Sequence, residues 1–252
     1  MNELLELAVA AHGGLDRWHS YRSVSLELSI GGALWDLKGQ AGLFANTTYE
    51  ADTHAQRATL GRFGAPDRHI RFTPDRLVLE TDTGEKIESR DAPRAAFAGH
   101  VNETPWDRFH AAYFCGYALW TYLTHPFLYA YPGFVTEEIA PWEENEETWR
   151  RLRVIFPDDI ASHSREQISY FGADGLMRRH DYAVDVLGGA TGAHYIHDYR
   201  EVGGLMVPRH RRIYPRGSDN GRVLEPVLVS IDISHIELRP GTGPAAATSP
   251  EP

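Results

Sequence analysis

The sequence predicts a mainly β (α+β) fold. The expected form is a run of about ten or more antiparallel strands with an N-terminal helix and one long central helix. Three observations predict it. Short apolar runs of period two recur along most of the chain, separated by Gly, Pro and Asp turns whose spacing suits an antiparallel meander rather than βαβ units. One stretch, Pro105 to Thr124, is instead long, apolar and free of Gly and Pro punctuation inside it except for Gly116. The third is composition: 252 residues, 42% hydrophobic and 24% charged, make an ordinary globular chain long enough to bury a core.

Taken in order, residues 3–11 place Leu4, Leu5, Leu7, Ala8 and Ala11 at helical spacings, and Gly13-Gly14 stops that helix. From Ser23 the period becomes two. Val24, Leu26, Leu28 and Ile30 are followed by strand-like runs at 43–49, 58–63, 69–72 and 77–79. The central helix is expected over 105–124, with Pro105 in its first turn, Thr104 as its cap and Pro126 ending it. One of its faces carries Phe109, Ala112, Gly116, Leu119 and Leu123, with small residues in the middle that let a sheet approach closely. Another carries Trp106, His110, Tyr113, Tyr117 and Trp120. Strands resume at 134–142, 149–156, 166–171, 176–186, 193–202, 207–214 and 226–238. Residues 1–239 read as one domain, and 240–252, without apolar periodicity, as a disordered tail.

Charge and cysteine content exclude several function classes. Thirty-five acidic against 25 basic residues, a net charge of −10, argue against nucleic-acid binding. The basic run Arg209, Arg211, Arg212 and Arg216 reads as a solvated face balanced by the acidic residues between Glu137 and Glu147. No apolar window is long enough for a membrane-spanning helix. The single cysteine, Cys115, excludes an intrachain disulfide and a cysteine-cluster metal site. The opening Met1-Asn2-Glu3-Leu4-Leu5-Glu6 lacks a cationic leader pattern, so a cytoplasmic location is expected.

Several segments together resemble the LolA/LolB-like superfamily of bacterial lipoprotein carriers and their relatives. They are Ala11-His12-Gly13-Gly14-Leu15-Asp16-Arg17-Trp18 running into Val24-Ser25-Leu26-Glu27-Leu28, then Asp174-Gly175-Leu176-Met177, and Tyr199 to Pro208. The resemblance covers residues 3–238. It implies an unclosed, strongly curved antiparallel sheet around an apolar cavity partly plugged by helices, here in a variant without an export signal or a lipid-attachment cysteine near the start.

Gly-x-Ser-x-Gly, Walker and strand-flanked Gly-x-Gly-x-x-Gly patterns are absent, which removes the commonest hydrolase and nucleotide-site signatures. Cross-strand arithmetic is more informative. A two-residue turn at Gly188-Gly189 pairs Arg179 with Asp198, Tyr182 with Tyr195 and His180 with His197, and a turn at Gly203-Gly204 places His210 beside His197. His180, His197 and His210 then form a row across three strands. Such a row is able to move a proton, hold a ligand carboxylate or bind a transition metal such as zinc, and it is equally able to be a set of hydrogen-bonded core histidines. No organic cofactor is expected. The first reading is a protein that binds a hydrophobic or aromatic small molecule between the central helix and the sheet, with Trp106, His110, Tyr113, Tyr117, Trp120, Tyr182 and Tyr195 lining the site and the broken apolar loop 125–134 as a lid. The alternatives are an enzyme in the same cavity, a His-based or metal-assisted hydrolase, isomerase or cyclase, and a structural or interaction protein whose cavity is filled by its own side chains.

Overall fold

A computed structural model describes residues 2–241. Thirteen strands form one antiparallel sheet: β1 Tyr21–Gly31, β2 Thr47–Asp52, β3 Ala58–Gly61, β4 Arg68–Thr73, β5 Arg76–Thr81, β6 Lys86–Asp91, β7 Val135–Glu144, β8 Glu147–Ile155, β9 Glu166–Phe171, β10 Met177–Val184, β11 Ala190–Val202, β12 Leu205–Pro215 and β13 Val229–Pro240. Their lateral order is β6-β5-β4-β3-β2-β1-β13-β12-β11-β10-β9-β8-β7. Each neighbour follows its predecessor in sequence except at β1–β13, where the last strand closes against the first and joins two meanders. The two outermost strands, β6 and β7, do not pair with one another, so the sheet is an unclosed half-barrel, as the family resemblance implies. Four α-helices complete it: α1 Glu3–Ala11, α2 Leu15–Ser20, α3 Ala33–Leu37 and α4 Arg108–Thr124.

Pleat alternation decides which face is covered. In β1 the side chains of Val24, Leu26, Leu28 and Ile30 are buried while their neighbours are not, so one face packs inward. Register shifts at Glu27/Leu28 in the β1–β13 pair and between Ile139 and Trp142 in the β7–β8 pair mark bulges, the local device by which strands bend. The helix α4 crosses the inner face. Gly116 is what allows it to come close, because a Cβ there would stand 2.6 Å from the Phe72 ring of β4. Two polar ties hold the helix to β2: Tyr49 Oη donates to the Gly116 carbonyl at 2.9 Å, and Trp120 Nε1 donates to the Asp52 carbonyl at 2.8 Å.

Four expectations need correction. The long helix starts at Arg108, not Pro105, and its cap is Asp107, not Thr104: the Asp107 carboxylate accepts the His110 N–H while His110 Nδ1 accepts the Asp107 N–H. The helices α2 and α3 were not foreseen, being short segments with little room for periodicity. Strand β6 was missed because it is charged and largely exposed and lacks alternation. The expected strand at 43–49 starts only at Thr47. Of the expected tail, residues 242–252 lie outside the described residues.

Candidate functional site

An apolar cavity of about 400 Å³ lies between α4 and the β10–β13 part of the sheet. Its helix wall is Phe114, Cys115, Ala118, Leu119 and Tyr122, and its sheet wall is Tyr182 and Val184 of β10, Gly192 of β11, Ile213 of β12, and Val229 and Ile231 of β13. The mouth is framed by α3 through Leu34, Trp35 and Leu37, by Asn102, by Leu187, and by Pro226 and Leu228. Four of the six exposed large hydrophobic side chains among the described residues, Leu37, Val101, Val223 and Leu224, sit on these mouth segments or beside them. The volume falls in the range of small-molecule sites, roughly 300–1,000 Å³. Cys115 is buried in this wall, and burial pushes its thiol pKa up, so it stays a protonated, unreactive wall residue.

The inner end of the cavity is phenolic. Tyr122 Oη is hydrogen-bonded to Tyr182 Oη at 2.6 Å and to His163 Nε2 at 2.8 Å, and His163 Nδ1 lies 3.2 Å from Tyr117 Oη. The His163 ring stacks flat on Tyr182, with centroids 4.1 Å apart. Burial pushes all three phenols up and His163 well below its ordinary value, so the chain of four rings is neutral. One pleat further in, His180 and His194 face each other across β10 and β11, and His125 packs edge-on against His180 with centroids 4.6 Å apart. All three are buried, and burial drives their pKa values down, that of His180 to about 3.

The structure separates the sequence-predicted residues. Of the seven expected ligand contacts, only Tyr182 lines the apolar cavity. Trp106 packs with Trp35, Phe97 and Phe114. His110 is committed to the α4 N-terminus, its Nε2 donating to the Ala96 carbonyl at 3.2 Å. Tyr113 turns to the other side of α4, toward a more polar cleft of about 640 Å³ with Arg94, Asp158, Asp159 and Asp185. Tyr117 and Trp120 are bonded within the core as described above, and Tyr195 is on the outer face.

The three-histidine row does not form. Arg179 pairs with Tyr195 and His180 with His194, three residues away from the expected register, because a 3-10 turn at Asp185–Leu187 lengthens the loop that Gly188-Gly189 was expected to make alone. An odd shift exchanges faces. His180 therefore points inward, while His197 is exposed on the outer face beside His210, the pairing expected from Gly203-Gly204. His210 is held by Asp232 at 2.7 Å, and Asp198, expected opposite Arg179, pairs with Arg200 at 2.9 Å. Among the described residues no group of three or more His, Cys, Asp or Glu side chains is placed to hold a metal ion.

Tyr195 belongs to a second, outer-face cluster with Trp149, Tyr170 and Ala193. At its centre the fully buried Arg179 forms a two-bond pair with Asp181, from Nε at 2.7 Å and Nη2 at 2.8 Å, and donates to Glu144 at 3.0 Å. Tyr170 Oη also donates to Asp181, at 2.7 Å.

Four residues of the inner site escaped the sequence reading: Tyr122, His125, His163 and Arg211. Tyr122 follows Phe114, Cys115 and Ala118 at helical spacing, a third stripe between the two recognised faces, and this was the available signal. Arg211 was grouped with the basic run as solvated, yet it is 3% exposed and shares a strand face with Ile213. His163 sits in the β8–β9 connection, where no periodicity marks it.

No family model matches the chain, and no curated protein matches it. Among solved structures, a domain provisionally assigned as an outer membrane lipoprotein-sorting protein, from Vibrio parahaemolyticus, superposes with a TM-score of 0.51 at 10% identity, over 95% of this chain and 94% of that one. A LolA superfamily protein from Nitrosomonas europaea has a TM-score of 0.48 at 9% identity, over 94% of this chain and 92% of that one. A DUF1329 family protein from Desulfovibrio piger has a TM-score of 0.48 at 13% identity, over 97% and 94%. The open thirteen-stranded sheet with its crossing helix shares its fold with the Vibrio parahaemolyticus domain.

Proposed function

We propose that the protein binds a hydrophobic small molecule or alkyl chain in the cavity between α4 and strands β10–β13. One observation carries this reading: a cavity of about 400 Å³ walled almost wholly by apolar side chains of the hydrophobic core. Protein interiors leave few voids of this size, and an apolar void without an occupant forfeits dispersion contacts on all its walls. The exposed Leu37, Val101, Val223 and Leu224 around the mouth suit a passage used by apolar material. The phenolic end supplies the few polar groups that orient a ligand.

Ala118→Phe tests it by filling the cavity from the helix wall. A neutral apolar fluorescent probe is expected to bind the wild type saturably and the variant at least about tenfold more weakly. Thermal unfolding of the variant is expected within a few degrees of wild type, because the added ring occupies space that is already there. Equal probe affinity in the two proteins would place the ligand elsewhere.

A further inference from the structure

The layer beneath the phenolic end carries a charge that nothing in the chain neutralises. Arg211 is buried, donates from Nη2 to the Tyr122 carbonyl at 2.7 Å, and has Nη1 3.3 Å from His194 Nε2. No Asp or Glu pairs with it among the described residues; the groups that act on it most strongly are the phenols Tyr199, Tyr122, Tyr182 and Tyr129, all of them neutral. The same molecule shows how it neutralises a buried guanidinium elsewhere: Arg179 has Asp181 and Glu144. The C-terminal carbonyls of α4 offer Arg211 only a partial negative charge, about half a unit. An arginine cannot shed its proton to escape, so a lone buried guanidinium calls for a counter-anion.

The surrounding side chains are unpartnered as well. Both ring nitrogens of His125, both of His180 and Nδ1 of His194 are buried without a hydrogen-bond partner. Each neutral imidazole holds one N–H able to donate to an oxyanion. The four histidines on which Arg211 acts, His12, His125, His180 and His194, are all held neutral by burial, so none of them competes with the guanidinium for an anion. Along β10 and β11 this layer lies two residues, about 7 Å, beyond the Tyr182–Gly192 row that ends the apolar cavity.

Apolar space, then phenols, then an unpaired cation with spare donors is the profile of an amphiphile with an anionic head. Resting on the cavity reading above, we infer that the ligand carries a carboxylate or phosphate oxyanion on its apolar body. Arg211 is its charge partner, with His180, His194 and His125 as donors and the Tyr122–Tyr182 pair as the partition the head must pass or displace.

The test compares ω-bromododecanoic acid with its methyl ester, equal in tail and different in charge, by saturable quenching of tryptophan emission. The acid is expected to bind wild type at least about tenfold more tightly than the ester, and Arg211→Met is expected to abolish that preference. Acid and ester binding wild type equally would overturn the inference and leave the cavity reading standing. A preference that survives in Arg211→Met would equally overturn the assignment to Arg211. Neither ligand binding would remove both readings. Acetate is the arm for a free anion. Stabilisation of the protein by acetate equal to that by the long-chain acid at the same concentration would assign the site to an ion alone and overturn the amphiphile. Should Arg211→Met fail to fold, the acid–ester contrast in wild type decides the anionic head by itself, and Arg211→Gln replaces the methionine variant in testing the assignment to Arg211.

Discussion

Single side chains show most sharply what this sequence reveals about itself. Gly116 was legible as a close-approach position, and the structure puts the Phe72 ring against it. Gly116→Ala is therefore expected to destabilise the fold by about 1–3 kcal/mol through overpacking, read as a lower thermal midpoint; an unchanged midpoint would mean that α4 is free to lift from β4. Arg211 was not legible, because in a run of four nearby arginines only the burial of one particular strand face tells the inward residue from the outward ones. His180 was recognised as a site candidate but assigned the wrong neighbours, since a side chain's partners depend on a register that its own position does not encode.

At the scale of elements, strand existence was read well and strand connection less so. Alternation in β1 gave its buried face and the Gly203-Gly204 hairpin gave the observed β11–β12 pairing, whereas the β10–β11 loop absorbed three residues into a helical turn and inverted the faces. The α4 cap was missed for a related reason. Thr104 and Pro105 make a plausible start, but Asp107 with His110 offers a reciprocal pair of hydrogen bonds and an Arg90 ion pair at 2.6 Å. Asp107→Ala is expected to cost about 1 kcal/mol, or somewhat more with the ion pair lost, and Thr104→Ala much less at the helix end; equal losses in chemical denaturation would contradict this assignment. The mouth segment is tied down by the fully buried Lys38, whose ammonium donates to the carbonyls of Asn102 and of Thr104. Lys38→Met removes both bonds and leaves those carbonyls to find water. Faster amide exchange across residues 100–106 is expected, with little change in β8–β9, and uniform exchange behaviour would show that the loop is held by other means.

For the whole molecule, five neutral imidazoles buried in the inner face set the response to acid. His12 falls to about 4 and His180 to about 3 from an ordinary value of 6.5, with His125, His163 and His194 also well below it, in each case because burial disfavours the charged ring. Below pH 6.5 the unfolded chain takes up protons that the folded chain refuses. Stability is thus complete above that value and is lost as pH falls toward the folded values, at up to about 1.4 kcal/mol per pH unit for each imidazole that stays neutral. A steep fall in thermal midpoint between pH 7 and 5 is expected, and a flat profile there would mean that the imidazoles are solvated or paired.

The central claim is that an apolar ligand occupies the space between α4 and β10–β13, and Trp35 is the one tryptophan of the six on that cavity's wall. Quenching by a neutral long-chain alcohol brominated at its far end tests this directly, because bromine quenches an indole only near contact. Saturable quenching in wild type, with the quenched component missing in Trp35→Phe and no quenching by the unbrominated alcohol, is the predicted result. Absence of saturable quenching, or quenching unchanged by Trp35→Phe, would contradict it.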